Sequence, residues 1–442
     1  MPNVVENVVQ FRAGRIVPSC GQASLSDRGA VMRKSRLFSV SLILIVLLPA
    51  IVRGQSSNFS KAKSPSTVLN QVAELTASDG EQYFRVGWSV CISGNTIGVG
   101  ATGAFAGSND EAYVFVSDTN GWQDATQTAV LSLVDPSGQE LGQSIACTES
   151  TIVLGTPAPG TFQVDAQDFV YTSSPSGWID ETPTAVLNFP SRYGQALGYS
   201  VAIDPTSSLI FGGANAAVAI YEEPSGGWKN SNGDPTWTLW PGGSAGAVES
   251  VAESNETLVV GSPYPSSVSV YVKKGHNLRL QALLSASDGA NLDYFGDSVA
   301  ISGDTIVVGA PEHNNGVGAV YIFVKPSTGW ANMTQTAELT SSDAIPNGQF
   351  GTSVAINGKL AIAGAPGSID NPVQGAAYAY VEPAGGWINM SETYKLLPSD
   401  AQSQDMFGNS ISISGNTAVV GAPLHPVRGN VDEGAAYVFV PQ

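Results

Sequence analysis

The sequence predicts an all-β fold, a seven-bladed β-propeller of four-stranded antiparallel blades. Three observations lead there. A unit built on Gly-Xaa-Ser recurs seven times, its first position falling at 87, 142, 198, 248, 296, 351 and 408, and the fourth copy carries Val248 in place of Gly. Around each copy lie further short apolar runs separated by turn residues. The chain has 442 residues, with 49 Gly and 26 Pro and only 13% charged residues, and no segment after residue 55 shows a sustained helical apolar period.

Each strand of the unit has its own signature. The innermost strand follows the Gly-Xaa-Ser, as in "SVAIS" (298–302), and a tight link leads to "TIVVGAP" (305–311). That second run is apolar throughout, as expected for a strand covered on both faces. Its Gly permits close approach of a neighbouring backbone, and its Pro ends the ladder because it has no N–H. The third strand reads "AYVFV" (112–116), "AVYIFV" (319–324), "AAYAYV" (376–381) or "AAYVFV" (435–440). A Gly-Trp link follows in five units, at Trp122, Trp178, Trp228, Trp330 and Trp387. Five copies at one position suit blade-edge caps better than sugar-stacking platforms. The outermost strand reads "AELT" (73–76 and 337–340), "AVLSL" (129–133), "AVLNF" (185–189) or "YKLL" (394–397).

A four-stranded sheet cannot bury both faces alone, whereas seven around an axis can. Phe295, Phe350 and Phe407 are expected to wedge between blades, with Leu141 and Leu197 as substitutes. The chain begins with an orphan "AELT" (73–76) and ends on a third strand (435–440). The N-terminal strand is therefore expected to complete the last blade and remove an open edge.

Phe-Gly, Ser-Val-Ala and Gly-Ala-Pro at this spacing resemble FG-GAP repeats, the blades of the integrin α-chain propeller and of many secreted bacterial proteins. The resemblance covers roughly residues 71–442 and is strongest at 293–324, 348–381 and 405–440. It implies an extracellular binding or adhesion role. Many such blades carry an Asp-rich calcium loop between the first and second strands. Here that link is as short as "SGNT" (93–96), "SGDT" (302–305) or "NGKL" (357–360). Such hairpins lack the ligands a calcium loop needs. No metal and no cofactor are expected.

Location is read from the N-terminus. "MRKSR" (32–36), the apolar run 37–52 and small residues before Gln55 form a signal-peptide pattern over 32–54, with a membrane anchor as the alternative. Residues 1–31 read as an upstream extension of a chain starting at Met32, and 55–70 as a flexible linker before the propeller at 71–442. Beyond residue 54 there are 12 basic against 35 acidic residues, net −23. Such a body repels nucleic acid. A secreted monomer is expected, with no membrane span after signal removal and with an extracellular protein or glycan as partner. Cys91 and Cys147 remain, and without framework spacing they read as buried small apolar residues, a bridge being the alternative.

The three histidines, His276, His313 and His425, have no metal-ligand spacing and read as surface-loop residues. No catalytic residue stands out. Sequons occur at Asn58, Asn255, Asn332 and Asn389. Counting strand directions puts the outer-to-inner links on one face with the loops between second and third strands. These links are acidic and the loops vary, and variable loops on a rigid repeat are where binding resides. Candidate ligand-face residues are Asp79, Glu81, Asp288, Asp293, Asp343, Asp400, Asp405, His313 and Asp370. Asp79, Asp288, Asp343 and Asp400 are themselves expected to tie their own turns, while the face as a whole is expected to bind. The leading reading is an exported binding or adhesion module. Its alternatives are a secreted enzyme acting on polysaccharide through paired carboxylates, and a lectin using Phe105 or Phe162.

Overall fold

The computed structural model describes residues 68–441, except 104–110, 134–140, 158–166, 190–196, 205, 207, 215–216, 232, 242–247, 265, 276 and 368–373. The expected signal segment, the linker through residue 67, Asp370, His276, Phe105 and Phe162 lie outside the described residues.

The described residues form seven mainly antiparallel sheets, and in the first six blades the four main strands follow in sequence from the inner strand outward. Blade 5 is representative, with Ser298–Ser302, Thr305–Ala310, Ala319–Val324 and Ala337–Thr340. Its second strand is buried from Ile306 to Ala310, because sheets cover it on both sides. The seven innermost strands touch in turn around a ring, and Ile411–Ser414 of blade 7 returns to Val86–Ser93 of blade 1. The inner hairpins are tight. Ser302 pairs with Thr305, and Gly303 takes a φ of 56° in the two-residue link.

The ring closes as expected. Leu69–Thr76 pairs antiparallel with Ala435–Pro441, placing Glu74 opposite Tyr437 and Leu75 opposite Ala436. The N-terminal strand thus serves as the fourth strand of the last blade. Gln71 also accepts a hydrogen bond from the Ser399 amide of the blade 6–7 link, at 2.8 Å.

Three features of blade packing explain the repeat. The Ser of Gly-Xaa-Ser donates to the Gly carbonyl of the next blade, as from Ser298 Oγ to Gly351 O at 2.8 Å and from Ser410 Oγ to Gly87 O at 2.8 Å across the closure. Where Val248 replaces the Gly, Ser200 Oγ instead accepts from the Val251 amide. The Gly before Ala-Pro is required by backbone approach, since a Cβ at Gly364 would collide with the Gly408 carbonyl. The aromatic wedges are buried, with Phe295, Phe350 and Phe407 at 2%, 1% and 0% exposure. Phe295 meets Tyr321 edge-on at 5.6 Å between ring centres.

The Gly-Trp links do more than turn the chain. Trp178, Trp228, Trp330 and Trp387 are buried in the inter-blade core. Two residues after each Trp, an Asp or Asn accepts a hydrogen bond from the outer strand of the preceding blade. The pairs are Asp124 with the Glu74 amide, Asp180 with Val130, Asn230 with Val186, Asn332 with Leu283 and Asn389 with Glu338, all at 2.9 Å. In three sheets the same link adds a two-residue parallel strand, such as Met333–Thr334 beside Leu284–Ser285. Sequons Asn332 and Asn389 therefore belong to this clasp.

One expectation is corrected. Cys91 and Cys147 are not separate apolar fillers but are joined in a disulfide, with Cα atoms 5.9 Å apart. Adjacent inner strands of blades 1 and 2 run side by side at the axis, which brings two distant cysteines within bridging range.

Candidate functional site

In blades 5, 6 and 7 the third strand and its two neighbouring connections build a recurrent group on the expected face. The third strands of blades 5, 6 and 7 place Tyr321, Tyr378 and Tyr437 at the same register, and the outer strand sets Glu338, Lys395 and Glu74 directly opposite them. The outer-to-inner link contributes Asp288, Asp343 or Asp400 beside the Tyr hydroxyl.

In blade 5, Tyr321 donates to Asp288 Oδ1 at 3.1 Å. His313, from the loop between second and third strands, sets Nδ1 2.8 Å from Asp293 Oδ2 and Nε2 3.9 Å from Asp288 Oδ2. Its loop turns sharply through Asn314 and Asn315, at φ of 50° and 64°. Asn tolerates this left-handed region through local polar contacts. In blade 7, His425 Nδ1 lies 2.9 Å from Asp405 Oδ2 and Nε2 3.4 Å from Asp400 Oδ2. His425 is 3% exposed and Asp405 1%. The Tyr437 hydroxyl is buried beside Asp400 and Glu74 without a well-aligned hydrogen bond. In each cluster one donor atom each of the His, the Asp and the Glu lies within 4.8 Å of the others, in Glu74–Asp400–His425 and in Asp288–His313–Glu338.

Blade 6 differs. Lys395 occupies the Glu position and donates to Asp343 Oδ2 at 2.5 Å, while Tyr378 donates to Asp343 Oδ1 at 2.7 Å. The ammonium also lies 5.5 Å from the Tyr378 ring centre. A cavity of about 180 Å³ opens here, lined by Asp343, Ile345, Phe350, Tyr378 and Lys395 among others.

The electrostatics follow this division. Burial raises the Glu74 carboxyl pKa, and the Asp400 charge raises it further. Burial and Asp288 do the same to Glu338. At His425, burial pushes the imidazole down, but the hydrogen bond and charge of Asp405, with Asp400 and Glu74, outweigh it and the pKa ends raised. At Asp343, burial pushes up and the bonds from Lys395 and Tyr378 outweigh it, leaving the pKa lowered.

Two expectations need correcting. His425 is not a surface-loop residue, and His313 is half-buried, because the adjoining link folds a carboxylate against each ring. Two aspartates outside the four expected to tie turns also do so. Asp293 accepts from the Ala290 amide and Asp405 from the Gln402 amide, both at 2.7 Å, while Asp288 and Asp343 reach across to tyrosines. Asp79 sits beside Glu111 and Tyr113 of blade 1, where Tyr113 donates to Glu111 at 3.2 Å. Glu81 is exposed on the same link. Glu74, Glu338 and Lys395 were not among the expected site residues. A signal existed, since Ala-Glu-Leu-Thr occurs only in the two units that also carry His313 or His425.

Four segments, 69–115, 278–323, 333–380 and 390–439, match the family model of the FG-GAP repeat. The chain carries FG-GAP repeats. The matched segments span the closing strand and most of the outer-to-third-strand stretches of blades 5 to 7, where the three Tyr-centred groups lie. No curated protein matches the chain. Among solved structures, the crystal structure of the computationally designed Ika8 protein is similar at 13% identity and a TM-score of 0.46, over 84% of this chain and 99% of that one. Among the described residues no helix is long and apolar enough to cross a membrane.

Proposed function

We propose that this FG-GAP propeller is an exported binding or adhesion module that engages an extracellular protein or glycan through the face carrying the Tyr-centred groups. The observation behind this reading is the gathering of Asp79, Asp288, Asp343 and Asp400, one from each of four blades, with the variable loops on that face. A rigid ring holds these carboxylates at set spacings, so a partner can be recognised at several blades at once. Export is supported by the basic and apolar segments at 32–52.

A screen of the purified full chain against glycan and extracellular-protein arrays tests this reading. Binding should fall at least tenfold in Asp288→Lys or Asp343→Lys and stay unchanged in Asp304→Lys on the opposite face. Equal binding by all three variants would defeat the assignment of the face. A second reading has one specific support. Carboxylate oxygens of Glu74 and Asp400 lie within 4.8 Å of each other, near the ~5 Å separation of a retaining glycosidase pair. Release of reducing ends from a polysaccharide panel, lost in Glu74→Gln, would favour that enzyme.

A further inference from the structure

We propose that blades 5 and 7 each bind a divalent transition-metal ion of the zinc class, through His313 Nε2, Asp288 and Glu338 in one and His425 Nε2, Asp400 and Glu74 in the other. This goes beyond the binding-module reading and does not depend on it.

The donor sets converge, with one atom from each of three residues inside a 4.8 Å envelope in both blades. The histidines are oriented for such a role. Each Nδ1 faces a second carboxylate, Asp293 at 2.8 Å and Asp405 at 2.9 Å, which would hold an Nδ1–H and leave Nε2, facing the remaining carboxylates, to give up its proton to an incoming ion. A carboxylate behind a histidine is the usual outer partner of a metal-ligating imidazole. Asp405 is itself held by the Gln402 amide and is 1% exposed.

Blade 6 supplies an internal comparison. At the register of Glu338 and Glu74 it carries Lys395, whose ammonium sits against the equivalent aspartate and tyrosine. One blade thus places a covalent cation where its two neighbours place a glutamate. A second, independent observation comes from blade 7. The Tyr437 hydroxyl is 0% exposed, lies beside Asp400 and Glu74, and makes no well-aligned hydrogen bond. Tyr321 in blade 5 and Tyr378 in blade 6 both donate to their aspartates. A buried hydroxyl whose approach to Asp400 falls short of a full hydrogen bond is costly, and a metal-bound water would complete it.

The donor chemistry selects the ion. Calcium and magnesium take oxygen ligands and favour higher coordination, whereas an imidazole nitrogen with two carboxylates suits zinc and its neighbours. Three protein ligands leave a fourth position open. In blade 7 the ion would join Glu74 of the N-terminal strand to Asp400 and His425 near the C-terminus. It would therefore cross the closure of the ring.

The test titrates Zn²⁺ into the metal-stripped full chain by calorimetry, with Ca²⁺ and Mg²⁺ as comparators. Two Zn²⁺ per chain are expected. Glu338→Gln should remove one site, Glu74→Gln the other, and Lys395→Gln neither. Asp400→Asn, at an exposed position, serves as a second blade 7 variant should Glu74→Gln fold poorly, and circular dichroism checks each fold. Zn²⁺ should raise the melting temperature in the parent and in Glu338→Gln, and much less in Glu74→Gln or Asp400→Asn. Co²⁺ should give visible absorption bands lost in the double variant Glu338→Gln/Asp400→Asn. Zn²⁺ uptake by that double variant equal to the parent's, or no stoichiometric uptake by the parent, would overturn the proposal.

Discussion

Replacing Leu75 by Ala tests whether the strand Leu69–Thr76 closes the ring. Leu75 lies in Leu69–Thr76 and Leu339 at the same place in the outer strand of blade 5, within the same tetrapeptide Ala-Glu-Leu-Thr. Both side chains are 0% exposed. Leu75 sits opposite Ala436, and Leu339 opposite Val320. Removing a fully buried Leu side chain costs about 2–5 kcal/mol, as lost transfer energy plus a cavity term. Because the two sites share sequence and burial, Leu75→Ala and Leu339→Ala should lie at similar points in that range. Urea unfolding followed by tryptophan fluorescence measures both, since Trp330 and Trp387 are buried between blades. The comparison removes most uncertainty in the absolute scale, as each variant calibrates the other. If Leu339→Ala costs the full amount while Leu75→Ala stays within about 0.5 kcal/mol of the parent, a surface-like value, the N-terminal strand does not complete the seventh blade.

Other outcomes follow from the same packing. Gly364→Ala forces a Cβ into the Gly408 carbonyl of the next blade, and overpacking should cost about 1–3 kcal/mol or more in urea unfolding. The double variant Cys91→Ala/Cys147→Ala opens a bridge between residues 56 apart, and the chain-entropy model puts the loss at no more than about 4 kcal/mol. A parent midpoint that does not move on reduction would contradict the bridge. Asp168 is 0% exposed, its carboxylate oxygens have no hydrogen-bond partner, and burial raises its pKa well above 3.8. A raised folded pKa adds stability below about pH 3.8 that is lost as pH climbs through the folded value. Asp168→Ala should therefore be more stable than the parent at pH 8, and the advantage should shrink toward pH 4. An advantage independent of pH would show that Asp168 is not held protonated.

Architecture was legible because repetition reports it directly. Phe295, Phe350 and Phe407 stand at one place in their units, and each wedges between blades as expected. The orphan "AELT" at the start and the missing fourth strand at the end required one another, and they pair. Other features used local patterns whose partners lay in another unit. The Asp or Asn two residues after Gly-Trp was visible five times, yet its role depends on the edge of the preceding blade. The Ser of Gly-Xaa-Ser likewise needs the next blade's carbonyl. Cys91 and Cys147 gave no framework spacing, and their meeting depends on two inner strands lying side by side at the axis.

By itself the sequence determined the all-β class, the number of blades, the closing strand and the face that carries the variable loops. All four follow from periodicity and strand direction, which are local or counted along the chain. Tertiary structure alone decided which acidic groups meet a histidine. Asp288, His313 and Glu338 come from three different connections and strands, and Glu74 meets Asp400 and His425 from opposite ends of the chain. Antiparallel register sets Glu74 across from Tyr437 and Lys395 across from Tyr378. That register is a property of paired backbones, and it sets a carboxylate beside the tyrosine in two blades and an ammonium beside it in the blade between them.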